Sequence, residues 1–264
     1  MNLISDYHNH PLGHDPNRKY SLELLNEWAD HGLKNGLKDV ALTDHDRYHE
    51  GVNFENFRQF SESLAEKRKD IKFKIGIELD NDPETSKAGK IWTEKNYEKL
   101  DFILGSVHFI GDWAFDHPNY KKEFDNWNIN KLYTIYFKEI QNIVKSGLVD
   151  GLAHLDLIKI FGHRPSDQAE ILPLINETLD LIKSADMTIE ISTAGWRKPV
   201  QEIYPSEEII KQIKQKNIPI TIASDAHAPN HLAEDYTKLQ TVLEKYEFTE
   251  IAIFEKHKRT LILL

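Results

Sequence analysis

With 264 residues and no cysteine, the chain can form neither disulfides nor thiolate metal sites, so imidazole and carboxylate must hold any metal. Hydrophobic residues at 40% and charged residues at 29% describe a folded globular protein. A formal net charge of −10 disfavours a general nucleic-acid surface. The opening stretch "MNLISDYHNHPLGHD" lacks a basic-then-apolar signal, and no apolar run reaches the ~18 residues of a membrane span. A cytoplasmic protein with no membrane or nucleic-acid partner is expected.

In chain order, short apolar runs alternate with helix-like segments. Strands are predicted at 3–9, 38–43, 72–78, 101–108, 149–154, 187–192 and 218–223. Helices are predicted at 21–35, 53–69, 93–99, 130–146, 168–184, 206–216 and 232–245. Ser21 and Ser206 stand where helix caps belong, and Gly147 where a left-handed helix stop belongs. Seven β–α alternations with near-continuous apolar strands imply a parallel sheet covered by helices. A closed or nearly closed barrel suits this length, with a doubly wound open sheet as the alternative. No linker divides the chain, so 1–264 is read as one domain. The connections 80–92 and 109–129 are longer than most, and the second, rich in aromatic and aspartate residues, is either a surface excursion or a lid over a substrate.

The strand ends carry the chemistry. Strand one ends in His8 and His10, strand two in Asp44-His45, strand three in Glu78 and strand four in His108. Strand five ends in His154, with Asp156 just after it, and strand seven in Asp225 and His227. C-terminal strand ends of parallel α/β architectures converge on one face, so these residues become neighbours. His8 and His10 are two apart and point the same way from an extended segment, as do Asp225 and His227. Six histidines and two carboxylates exceed the needs of one ion, so two or three divalent cations are expected, with zinc, manganese and iron all compatible. His14 and Asp15 lie just beyond the first motif and either could reach the cluster. His31, His49, His117, His163, His231 and His257 lack a matching partner and are read as surface residues.

The order His-x-His, Thr-Asp-His, Glu, Ser-x-His, His, Asp-x-His resembles the polymerase-and-histidinol-phosphatase (PHP) superfamily over nearly the whole chain. It is most similar to the monofunctional histidinol-phosphate phosphatases through "DFILGSVHFI", "AHLDLIK" and "STAGWRKPVQEIYPS". The resemblance implies a distorted (β/α)7 barrel with three metal ions at the C-terminal strand ends. By motif, His8, His10, Glu78 and Asp225 would hold the first ion. Glu78 would bridge to a second completed by His108 and His154. His45, His227 and His14, favoured over Asp15, would hold the third.

The implied chemistry is hydrolysis of L-histidinol phosphate, a small phosphate monoester, to L-histidinol and phosphate in histidine biosynthesis. Neighbouring cations lower the pKa of a water and neutralise the departing alkoxide. Glu78, Asp225, His227 and Arg197 form the expected catalytic set. Arg197, just after strand six, suits phosphate oxygens, and Lys159, His163 or Arg164 could add a contact, although Ile160 stands where the family often has a basic residue. Asp112, Trp113, Phe115 and Asp116 could meet the imidazole and ammonium groups. The alternatives are a related phosphoesterase acting on nucleotides or nucleic-acid 3′ ends, and a non-catalytic metal-binding module.

Overall fold

The computed structural model describes residues 3–166 and 168–264. Seven parallel strands run in the order β1 (Ser5–Asp6), β2 (Asp39–Leu42), β3 (Lys72–Leu79), β4 (Phe102–Gly105), β7 (Gly151–Leu152), β8 (Thr188–Ser192) and β9 (Ile220–Ala223). The two ends of that order meet, since the Tyr7 amide donates to the Ile222 carbonyl at 3.0 Å and His10 to Ala226 at 2.8 Å. The sheet therefore closes into a distorted seven-stranded barrel. The strands are shorter than predicted at β1 and β7, because the chain leaves regular pairing where the histidines begin.

Helices α1 (Leu22–Lys34), α2 (Phe54–Lys67), α3 (Ser86–Asn96), α4 (Ile129–Ser146), α5 (Gln168–Ser184), α6 (Glu207–Lys216) and α7 (Tyr236–Lys245) alternate with the strands. The Ser21 hydroxyl accepts from Leu24 N–H at 3.1 Å, and Gly147 ends α4 at φ +66°. Ser206 occupies the cap position without a side-chain cap bond; its own N–H instead donates to Asp156 Oδ2 at 2.8 Å. Most of the predicted 80–92 connection is the first part of α3. The 109–129 excursion is a small hairpin, β5 (Phe109–Ile110) and β6 (Trp113–Ala114), followed by a 3₁₀ segment at Pro118–Asn126. Its rings form a local core in which Trp113 stacks on Trp127 with centroids 6.0 Å apart, and Phe124 stacks on His163 at 4.5 Å. His163 is thus part of this packing rather than a bare surface histidine.

Beyond the last predicted helix at 232–245, the chain forms an unpredicted antiparallel hairpin, β10 (Glu250–Glu255) and β11 (Lys258–Leu263), across the barrel's N-terminal mouth. Phe254 packs on Phe102 at 4.6 Å, and its N–H donates to the Tyr7 hydroxyl at 2.7 Å. The hairpin is clamped by His257, whose Nδ1 lies 2.8 Å from Asp150 Oδ2 and Nε2 3.0 Å from the Tyr97 carbonyl. Both ring nitrogens face acceptors, so the imidazolium fits best. Burial alone would lower the His257 pKa, but Asp150 and the Tyr97 carbonyl outweigh it and raise it above the ordinary range. A raised folded-state pKa means that the clamp is fully present below the unfolded value near 6.5 and is lost as pH rises through the folded value. His257→Gln is expected to lower the melting temperature more at pH 6 than at pH 9; an equal loss at both would contradict the charged clamp.

Candidate metal centre

The end of the barrel opposite the hairpin gathers the strand-end residues around one carboxylate. Glu78 is the penultimate residue of β3 and is fully buried. Its Oε2 lies 3.3 Å from His8 Nε2, 3.6 Å from His10 Nε2 and 2.8 Å from His45 Nδ1. Its Oε1 lies 3.3 Å from both His108 Nε2 and His154 Nε2. Asp225 Oδ1 stands 3.2 Å from His10 Nε2 and 4.0 Å from His8 Nε2. The His227 ring lies 4.3 Å from that of His10 and 4.9 Å from that of His14.

Apart from the His108–Glu78 contact, these distances do not describe ordinary hydrogen bonding. His8 Nε2, His10 Nε2, His45 Nδ1 and Glu78 Oε2 are buried polar atoms with no hydrogen-bond partner, although each has another such atom close by. Donors left unpaired in a protein interior are costly unless something else satisfies them. Ligands about 2.0–2.1 Å from a tetrahedral ion lie roughly 3.3 Å from one another, the spacing that recurs here. Three sets, His8–His10–Glu78, His45–Glu78–His108 and His10–His45–His227, each present ligand atoms within 4.8 Å of one another. The donor set of imidazole and carboxylate fits divalent transition metals.

The electrostatics agree with that use. Burial would raise the Glu78 pKa, but His45 and His8 outweigh it and hold the carboxyl well below its ordinary value. Asp225 is likewise held low, chiefly by His8 and His10 against the effect of burial. Burial lowers His10 well below the ordinary histidine range and His45 to about 4, so both rings are neutral and able to coordinate at physiological pH. His8 and His108 shift the other way: Glu190, Glu78 and Asp225 outweigh burial at His8, and Asp80 and Asp116 outweigh it at His108, raising both proton affinities, a surplus of negative charge that bound cations would neutralise.

The backbone is bent to make this geometry. His154 and Asp225 are non-glycine residues at φ +24° and +53°, a region that costs on the order of 1–3 kcal/mol and is tolerated where surrounding contacts enforce it. At Asp225 the enforcing group is Asp6, whose buried carboxylate accepts from Ser224 N–H at 3.0 Å and from Ala233 N–H at 2.9 Å.

Of the expected ligands, the structure brings together His8, His10, His45, Glu78, His108, His154, Asp225 and His227, with His14 at the rim. Asp15 turns away, its carboxylate accepting from Asn17 N–H at 2.9 Å. Asp44 also points elsewhere, accepting from Leu12 N–H at 2.8 Å and the Tyr20 hydroxyl at 2.7 Å, which fixes the loop that carries His14.

Arg197 lies beside the cluster with its side chain one-quarter exposed. Its guanidinium donates to the Ser224 carbonyl and to Thr193 Oγ1 at 3.3 Å, and pairs with Glu234 at 3.3 Å. Lys159 and Arg164 are not brought to the cluster. The Lys159 ammonium is buried and donates to the Ile203 carbonyl at 2.7 Å, with Asp156 at 3.0 Å and Glu202 at 3.5 Å taking its remaining directions. Arg164 is paired with Glu202. In the excursion, Phe115 is fully buried and packs on Tyr136, whereas Asp116 Oδ2 lies 2.9 Å from His108 Nδ1.

One residue of the site escaped the sequence reading. Glu190, in the middle of β8 and fully buried, places Oε2 2.7 Å from His8 Nδ1 and accepts the His154 N–H on Oε1 at 3.1 Å. Glu190 and Asp116 each hold the Nδ1 of a cluster histidine, which turns Nε2 of His8 and His108 inward. The available signal was an acidic residue between two isoleucines in "MTIEIS".

Comparison with known proteins accords with this arrangement. The PHP domain model matches residues 14–194. The chain belongs to the PHP family. Among PHP relatives, a protein of Deinococcus radiodurans named a probable histidinol-phosphatase is 31% identical over 237 residues, 83% of this chain and 86% of that one. The histidinol-phosphatase of Lactococcus lactis is 25% identical over 248 residues, 90% of this chain and 91% of the relative. A crystal structure of histidinol phosphate phosphatase from Lactococcus lactis, complexed with zinc, L-histidinol and phosphate, superposes with a TM-score of 0.76 at 21% identity, covering 98% of this chain and 99% of that one. That likeness establishes the PHP barrel for this chain. Among the described residues, no helix is long and apolar enough to cross a membrane.

Proposed function

We propose that this chain is a metal-dependent phosphomonoesterase that hydrolyses L-histidinol phosphate to L-histidinol and phosphate in histidine biosynthesis, with residues 1–264 acting as one domain. The observation that carries the reading is the buried Glu78 carboxylate facing five imidazoles whose nitrogens converge on it at 2.8–3.6 Å. The names of the PHP relatives over most of their length support the substrate.

Three divalent cations, of zinc, manganese or iron, would be held here. His8, His10, Glu78 and Asp225 would bind the first, and Glu78, His108 and His154 the second. His45, His227 and His14 would bind the third. Bound ions supply an acidified water and charge neutralisation for phosphoryl transfer. The protein's part is to keep Glu78 and Asp225 ionised, to keep His10 and His45 neutral, and to fix ring orientation through Glu190 and Asp116. Arg197 donates to Thr193 and Ser224 and is ion-paired with Glu234 at 3.3 Å and Asp235 at 3.9 Å, and the N–H groups these hydrogen bonds leave over would meet a phosphate oxygen. No nucleic-acid partner is proposed, in keeping with the net charge of −10.

Chelation tests the reading. Protein stripped of metal is expected to release no phosphate from L-histidinol phosphate, and zinc or manganese should restore turnover. Full activity after verified stripping would contradict a metal-dependent reaction.

A further inference from the structure

A cavity of about 500 Å³ opens beside the metal centre, walled by Asp116, Lys121, Ile160, Phe161, His163 and Lys198. It adjoins the cluster directly, because Asp116 is the carboxylate bonded to His108. A phosphate dianion at the metals would gain from a cation on this side. The expected basic residues cannot supply it: Ile160 is apolar, Lys159 is committed to Ile203 and Asp156, and Arg164 to Glu202.

Lys198 stands differently. Its main chain is pinned, with its N–H donating to the Gly195 carbonyl at 3.2 Å and its own carbonyl accepting from Gln201 at 2.9 Å. Its side chain is half-buried, and among the described residues it forms no ion pair. It shares one cavity wall with Asp116, the carboxylate that meets His108.

We infer that Lys198 is the second phosphate-binding cation of this site, beside Arg197 in the chain and facing the anion from the Asp116 cavity. The inference rests on the phosphatase reading for its substrate but concerns phosphate itself. Ammonium-to-phosphate contact is charge-assisted and needs no bidentate geometry, so a lysine can serve where the neighbouring arginine is already fixed.

The test compares wild type, Lys198→Gln and Lys198→Arg, all metal-loaded, in two assays. Calorimetric titration with inorganic phosphate should show Kd raised about tenfold in K198Q and largely restored in K198R, the size expected of one charge-assisted bond at a partly exposed site. Turnover of L-histidinol phosphate should show KM raised by a similar factor with kcat much less affected, the deficit shrinking at high salt. Unchanged phosphate affinity in K198Q with intact metal content would overturn the assignment. A wild type that binds phosphate but does not hydrolyse the ester would contradict the phosphatase reading while leaving Lys198 to be judged by the titration.

Discussion

Glu78→Gln is expected to reduce phosphate release by ~10³-fold or more, because the charge stabilisation supplied by metal ions is worth several kcal/mol and each 1.36 kcal/mol is tenfold. The carboxylate contacts His8, His10 and His45 through one oxygen and His108 and His154 through the other. Replacing one oxygen by an amide removes a negative charge and turns a ligand into a donor facing imidazole nitrogens. Metal content should fall together with turnover, and added metal should not restore the rate. The fold itself should survive, since the substitution preserves volume at a position walled by polar side chains. A variant retaining both its metal and a tenth of wild-type activity would show that Glu78 is not the centre of the site.

Glu190→Gln is expected to cost about 10–100-fold in metal affinity or activity, the range typical of carboxylates that orient a metal-bound histidine. Its Oε2 fixes His8 Nδ1, and its Oε1 accepts the amide of His154, whose backbone sits at φ +24°. A glutamine can satisfy one of these contacts but not both without presenting its NH2 to a donor. It also removes the charge that, with Glu78 and Asp225, makes His8 a strong base. Equilibrium dialysis with zinc should find the loss concentrated in one ion rather than all. Unaltered zinc affinity and turnover would mean that Glu190 serves only the packing of β8.

How far the site could be read from residues alone follows from where each ligand sits. His8, His10, His45, Glu78, His108, His154, Asp225 and His227 were legible because each closes an apolar run, and parallel strands must deliver their ends to one face. Glu190 was not, because it lies in mid-strand. Thr188, Glu190 and Ser192 alternate with Ile189 and Ile191, so the polar set lines the barrel interior while the isoleucines face the helices. The one strand whose end lacked a ligand contributes from its middle instead.

Lys159 misled for a different reason. Its position after β7 suits an anion contact, but sequence spacing does not reveal that the Ile203 carbonyl and Asp156 capture its ammonium. The C-terminal hairpin was hidden by its turn. Lys256 and His257 take φ of +48° and +62°, a pair of values that tight hairpins usually assign to asparagine and glycine. Here tertiary bonds replace turn propensity: Lys256 N–H donates to Asp101 Oδ1 at 3.2 Å, and His257 is clamped between Asp150 and Tyr97.

One comparison tests the substrate most directly: kcat/KM for phosphate release from L-histidinol phosphate by the metal-loaded protein, with a nucleoside monophosphate measured beside it. Efficient turnover of L-histidinol phosphate is expected, with a preference for it of at least ~10²-fold. Equal or greater efficiency on the nucleotide, by a protein with its metals in place, would contradict the biosynthetic assignment while leaving the metal centre standing.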